Sequence, residues 1–335
     1  MSDATTYAME ELNRETRFGG AGTTKDRHVP VVDLADFDAR RAEIADELWA
    51  AATDIGFFQL RNHGIPTALV DEAFAAAAGF FALPMGTKAQ YPMAKGTNWG
   101  WEYKAQVRPS TGTPDNKESY QVTVPKMVGL WPTGAELAGF KATMLAFERA
   151  NWALSMKVLS LFAPKLGFPP DFFTELHDPT SDQYQCTQRM IHYMGMEGAT
   201  EEDFRQVRGG AHTDYDCLTL LHQRQGQGGL QLCPGKEAAA GGELAWTDVP
   251  PRGDVVTCNI GDMLQRWSDD QLQSTLHRVR MPRADEYLGP RYSLPFFCQA
   301  NRDAVIRSSS GRYEPMTAAD FLQMRINANY AKMAM

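Results

Sequence analysis

The sequence predicts a mainly β fold, a barrel or double-sheet jelly roll, flanked by helices. Three observations lead there. Between about 184 and 300 the chain breaks into short runs rich in Val, Leu, Ile, Thr and aromatics, punctuated by Gly, Pro and Asp. Many short strands in succession are the mark of such folds. On either side lie longer segments whose apolar residues recur at helical spacing. The 335 residues are 43% hydrophobic and 22% charged, an ordinary globular composition with material for a sizeable core.

Residues 1–28 are polar, with Gly19, Gly20 and Gly22 clustered, and are expected to form a flexible arm. Val31-Val32-Asp33-Leu34 after Pro30 predicts a short strand. Asp36 is expected to cap a helix beginning near Phe37 and carried by Ile44, Leu48 and Ala51. Gly56-Phe57-Phe58-Gln59-Leu60 predicts a strand, and 67–82 a helix that stops before Pro84. The Gly-, Pro- and aromatic-rich stretch 91–135 predicts loops and short strands of the kind that often carry binding. Leu137, Met144, Phe147, Trp152, Leu154, Leu159 and Phe162 predict a long core helix or a helix pair over 134–166. Strands are expected at Leu218–His222, Gly229–Leu232, Val255–Ile260, Leu276–Arg280 and Tyr292–Cys298. A last helix is expected over Ala318–Ala331, with Phe321, Leu322 and Met324 inward. The expected organisation is one integrated domain: an arm at 1–28, a helix-and-strand region at 29–135, and a jelly-roll core with its C-terminal helix at 136–335.

Charge and cysteine usage narrow the function. A net charge of -8 argues against a broad nucleic-acid surface, which needs Lys and Arg. No apolar run is long enough for a membrane span, and the polar N-terminus lacks a signal core. The five cysteines are odd in number, widely spread and without a Cys-x-x-Cys pair. They read as small core residues in a reducing compartment, and the cytoplasm is the expected location.

His212-Thr213-Asp214 is the first stretch that suggests chemistry. On a strand, residues two apart share a face, so imidazole and carboxylate would converge. His277 lies 63 residues later in a second expected strand. Two histidines and one carboxylate form the facial triad of non-haem iron(II) oxygenases, which leaves three positions for an oxo acid and dioxygen. A His-x-Asp is also common by chance, and such a pair is often only hydrogen-bonded. Both readings stand at this point. Arg291 and Ser293 share a face of another strand, where a guanidinium fork and a hydroxyl suit a carboxylate. The apolar flanks Leu294, Phe296 and Phe297 favour a partly enclosed arginine.

These pieces occur in one order with Leu218-Thr219-Leu220-Leu221, Gly228-Gly229-Leu230-Gln231 and Asn259-Ile260-Gly261-Asp262. Together they resemble the isopenicillin N synthase-like family of 2-oxoglutarate/iron(II) dioxygenases. Gly56-Phe57-Phe58 with Asn62-His63-Gly64-Ile65 resembles that family's N-terminal region, and Lys117-Glu118-Ser119-Tyr120 its central segment. The resemblance covers roughly 30–330. It implies a double-stranded β-helix core, iron(II) held by His212, Asp214 and His277, and 2-oxoglutarate and O2 as cosubstrates. It places the distal carboxylate of 2-oxoglutarate on Arg291 and Ser293 and a hydrogen bond to the cosubstrate on Tyr193. The implied reaction oxidises a C–H bond of a small organic molecule by hydroxylation, desaturation or ring expansion, in natural-product or nucleobase metabolism. Met194-Gly195-Met196 departs from the prolines of many relatives. Asp214 argues against a halogenase, which leaves the carboxylate position vacant.

His222 would share the face of His212 by strand parity. With a triad already complete it reads as a core residue. His63 falls in a turn and His28 in the arm. The expected partner is a small molecule, aromatic or anionic, with no nucleic acid and no membrane. Trp99, Trp101, Tyr103 and Phe297 are candidates for an aromatic pocket, Arg189 for a buried cation, and Lys104, Arg108 and Lys117 for charges at its mouth. Each of these also reads as ordinary packing or a solvated charge. Three alternatives remain: an iron oxidase of the same fold that does not use 2-oxoglutarate, a non-catalytic small-molecule binding protein, and a zinc hydrolase.

Overall fold

The computed structural model describes residues 23–105, 115–198, 207–234, 245–283 and 285–331. Its strands are β1 (Thr23–Thr24), β2 (Val31–Asp33), β3 (Phe57–Arg61), β4 (Gly100–Tyr103), β5 (Lys117–Val122), β6 (Thr187–Tyr193), β7 (Val207–His212), β8 (Leu218–Gln223), β9 (Leu230–Cys233), β10 (Ala245–Asp248), β11 (Val255–Ile260), β12 (Leu276–Arg280), β13 (Arg291–Cys298), β14 (Val305–Ile306) and β15 (Met316–Thr317). The helices are α1 (Arg41–Asp54), α2 (Thr67–Ala82), α3 (Met85–Lys88), α4 (Phe140–Lys165), α5 (Phe172–Glu175), α6 (Asp262–Trp267) and α7 (Ala318–Ala331).

An eight-stranded sheet runs β2-β3-β11-β8-β13-β6-β5-β4, and a five-stranded sheet runs β1-β10-β9-β12-β7. This is the expected jelly roll. A cavity lies between the two sheets, lined by β3, β5, β6, β8, β11 and β13 on one side and by β7, β9 and β12 on the other. Strand β13 shows how the period of two builds it. Arg291, Ser293, Pro295 and Phe297 line the cavity. Tyr292, Leu294 and Phe296 turn into two hydrophobic clusters on the sheet's outer face. Helix α4 supplies both: Met144 and Phe147 pack with α2, and Leu154, Leu159 and Phe162 pack with α1. The stretch 134–166 is therefore one helix, preceded by turns.

Two expectations change at the N-terminus. Residues 1–22 lie outside the described residues. Residues 23–24, inside the segment expected as an arm, pair with β10, and Arg27 donates to Ala245 O and Thr247 Oγ1. Asp36 does not cap a helix at Phe37. It sits in a turn at φ 52, and α1 starts only at Arg41. The Asp33 carboxylate takes the Ala35 N–H and the Arg40 guanidinium donates to the carbonyls of Asp33 and Ala35, which fixes the turn first.

The five cysteines are buried, and none is in a disulfide among the described residues. Among the described residues no helix is long and apolar enough to cross a membrane.

Candidate active site

His212 is the last residue of β7, and His277, on β12, is its direct cross-strand partner. Asp214 lies beyond the strand, so the His-x-Asp pair does not occupy two rungs of one strand. The chain turns after His212 because the Thr213 hydroxyl donates to Asp262 Oδ2 (2.9 Å) and the Asp262 N–H donates to Asp214 O (2.8 Å). The carboxylate still converges. Asp214 Oδ1 lies 3.8 Å from His212 Nε2 and 3.7 Å from His277 Nε2. The candidate ligand atoms of the three residues lie within 4.8 Å of one another, and no other such group of three occurs among the described residues.

Neighbouring groups orient each donor. His212 Nδ1 meets Gly210 O at 2.8 Å, and His277 Nδ1 meets Thr275 O at 3.1 Å. A carbonyl only accepts, so each Nδ1 carries the proton and each Nε2 presents its lone pair. Asp214 Oδ2 accepts from Thr219 Oγ1 (2.7 Å) and Asn259 Nδ2 (2.9 Å), which turns Oδ1 towards the histidines. Burial, and then the charge of Asp214, hold the Asp216 carboxyl well above the usual carboxylate range. Burial thus opposes a second negative charge beside Asp214. Behind this loop, Arg325 of α7 is fully buried and pairs with Asp262 Oδ2 at 2.8 Å, while donating to Thr213 Oγ1 at 3.1 Å.

Gly261 lets the β11–α6 turn press on the same loop. A Cβ there would collide with the backbone oxygen and carboxylate of Asp216. We expect Gly261→Ala to cost roughly 1–3 kcal/mol of stability through overpacking. A thermal melt should show a lower Tm, and an unchanged Tm would mean the loop yields freely.

The other end of the cavity is cationic. Arg291 is 1% exposed, its Nε donates to Gln227 O (3.1 Å) and Gly228 O (3.0 Å), and its guanidinium lies 4.8 Å over the Tyr193 ring. Its Nη1 is buried without a hydrogen-bond partner among the described residues. Ser293 lies beside it on the same face. Arg189 also lines the cavity, donating from Nη2 to Glu102 Oε1 (2.6 Å) and Ser119 Oγ (2.9 Å), and its Nε has no hydrogen-bond partner among the described residues. Lys117 lines it too, and is buried against Asp115 at 2.6 Å.

Other candidates fall elsewhere. Of the four aromatics, Phe297 alone lines this cavity. Trp99 and Trp101 pack in the outer cluster and Tyr103 is exposed. Lys104 is exposed, and Arg108 lies outside the described residues. His222 is a core residue as expected, but it faces away from the triad: its Nε2 meets Asn151 Oδ1 at 2.7 Å under the Phe147 ring. Burial, with His63 nearby, lowers its pKa to about 3. Sequence reasoning gave no roles to Thr219, Asn259, Asp262 and Arg325. The signal for the first two was polar residues inside otherwise apolar strands.

Residues 29–133 match the family model for the non-haem dioxygenase in morphine synthesis N-terminal region, and 184–300 match the 2OG-Fe(II) oxygenase superfamily. The chain is 32% identical to the 2-oxoglutarate-dependent dioxygenase citB of Monascus ruber, over 84% of this chain and 87% of that protein. The chain belongs to the 2-oxoglutarate/iron(II)-dependent dioxygenase family. The dioxygenase is also 32% identical to the UPF0676 protein C1494.01 of Schizosaccharomyces pombe, over 91% of this chain and 94% of that one. Among solved structures it is similar to a full-length Neurospora crassa protein in complex with alpha-KG and thymine, at 28% identity and a TM-score of 0.77, covering 90% of this chain and 97% of that one. It is therefore an oxygenase that uses iron(II), 2-oxoglutarate and O2, and the oxidase, binding-protein and zinc-hydrolase alternatives fall away. The donor set fits the metal: two neutral imidazoles and one carboxylate suit iron(II). The orphaned Nη1 of Arg291 fits a carboxylate.

Proposed function

We propose that His212, Asp214 and His277 hold the iron, and that Arg291 with Ser293 receives the distal carboxylate of 2-oxoglutarate. The observation that carries this is the convergence of three ligand atoms on a cavity that is also lined by a buried guanidinium whose Nη1 has no hydrogen-bond partner among the described residues. Iron, cosubstrate and O2 together supply an oxidant for a substrate C–H bond, with succinate and CO2 as co-products. The protein's own part is orientation and exclusion of water. Gly210 O and Thr275 O keep the imidazoles in one tautomer, and Thr219 and Asn259 hold the carboxylate still. Tyr193 supports the Arg291 guanidinium with its ring face. Anaerobic titration of the iron(II)-loaded protein with 2-oxoglutarate tests the assignment. The visible charge-transfer band of a chelated oxo acid should appear in the wild type and be absent in His212→Ala. Iron binding without a band would remove Arg291 and Ser293 from the cosubstrate site.

For the substrate, we infer a small planar molecule with a hydrogen-bond acceptor. Arg189 lines the cavity, its Nε has no hydrogen-bond partner among the described residues, and Glu102 balances its charge, so it suits a carbonyl better than a full anion. Phe297 and Leu221 give the cavity apolar walls. The similar Neurospora crassa protein, solved with thymine and with 5-formyluracil, makes these pyrimidines the first compounds to test. Arg189→Lys keeps the charge pair but loses the fork. It should raise substrate KM about tenfold, the worth of a hydrogen bond to a charged group, with 2-oxoglutarate affinity unchanged. A KM equal to wild type would take Arg189 off the substrate. Five buried thiols support a reducing compartment, and we place the enzyme in the cytoplasm.

A further inference from the structure

A roomier cavity, about 290 Å³, lies outside the triad cavity. Leu230 borders both. Gln227 and Gly228, whose carbonyls hold Arg291 Nε, border the outer one. Gly226, Gly228 and Gly229 leave this wall almost free of side chains.

Arg208 of β7 lines the outer cavity and is 2% exposed. Among the described residues its only side-chain hydrogen bonds are long ones from Nη2, 3.4 Å to Met194 O and 3.3 Å to Gly289 O, and its Nε has no partner. Among the described residues no carboxylate is in ion-pair range of it. The rest of the rim is balanced. Arg280 and Arg283 are matched by Asp248 and Glu286. Arg208 is thus, among the described residues, the one cation of this cavity lining with no carboxylate in ion-pair contact, and Glu286 acts on it only from a distance. Burial, and then the charge of Arg291, draw its pKa down to about 10, so it stays protonated at neutral pH. Burying a guanidinium without a paired carboxylate is unfavourable, and an anion would offset that cost.

We propose that the outer cavity is a second anion site, built on Arg208, that takes a compact oxyanion (a carboxylate or an inorganic phosphate) and opposes 2-oxoglutarate at Arg291. The sign follows from charge. Each anion is drawn to both guanidiniums, so whichever binds first neutralises part of the field and repels the second. Linkage makes the antagonism mutual. The antagonism rests on the reading of Arg291 given above, whereas the site itself does not.

The test is the affinity of iron(II)-loaded, full-length protein for 2-oxoglutarate, measured anaerobically at rising inorganic phosphate and, separately, rising acetate. The apparent Kd should rise about fivefold, the low end of typical coupling, and then level off. It should stay flat in Arg208→Gln and rise partially in Arg208→Lys. A plateau with one probe alone identifies which oxyanion the site takes. A Kd that never levels off, or responds equally in Arg208→Gln, means competition at the iron or at Arg291 and overturns the proposal. So does a flat response to both probes in the wild type. Wild-type crystals soaked in selenate test the site without iron, 2-oxoglutarate or a variant. An anomalous peak beside Arg208 supports it even if Arg291 proves not to hold the cosubstrate, and its absence sinks it.

Discussion

His277→Ala should leave a folded protein that neither holds iron nor turns over. His277 is paired with His212 across β12 and β7, and its ring packs edge-on to Phe57 at 5.5 Å. Alanine removes one of three ligands and leaves the strand pairing intact. Losing an outer hydrogen bond to a ligand typically weakens a metal site by about 10–100-fold. Losing the ligand itself should exceed that. Iron content after dialysis, with circular dichroism as the folding control, reads the result. Iron retained at wild-type stoichiometry would show that the metal sits elsewhere.

Arg291→Leu should act on the cosubstrate alone. Truncating one partner of a buried, hydrogen-bonded charge pair costs about 2–5 kcal/mol. That corresponds to a rise in the 2-oxoglutarate Kd of about 30-fold or more. Iron affinity should stay at the wild-type value, because no triad atom depends on Arg291. The same anaerobic titration gives the 2-oxoglutarate Kd, and iron content after dialysis reads the metal. A Kd within twofold of wild type would exclude Arg291 from the carboxylate site. A parallel loss of iron would mean that the substitution disturbs the whole barrel.

Much of this site was legible in the residues, for physical reasons. Strands Val255–Ile260 and Leu276–Arg280 and helices Thr67–Ala82 and Ala318–Ala331 fall where periodicity and punctuation placed them. In helix Thr67–Ala82 the buried residues Ala73, Phe74, Ala77, Phe80 and Phe81 recur at helical spacing, and Pro84 follows its end. Helix Asp262–Trp267 was not foreseen, because all six of its residues are buried and no amphipathic stripe shows. Strand Lys117–Val122 is buried throughout, charged residues included, so the alternation that marks a strand is missing. Among site residues, His212, Asp214 and His277 were visible as ligand types at usable spacing. The groups that orient them were not, since a threonine or asparagine in a strand has no distinctive spacing. Arg208 has no distinguishing sequence signal, and only its burial sets it apart. The parity argument failed for His222 because the face does not carry through the loop at Asp214.

The buried contact of Arg325 with Asp262 and Thr213 orders events in time. Thr213 lies between two of the proposed ligands, yet its brace is made 112 residues later than it is. Synthesis runs from the N-terminus, and domains gain their packing as the chain emerges. A chain whose helix Ala318–Ala331 is still inside the ribosome has all three proposed ligands but lacks the clamp on their loop. The loop that carries the proposed ligands is therefore braced only after Arg325 has emerged, well after the three ligands themselves.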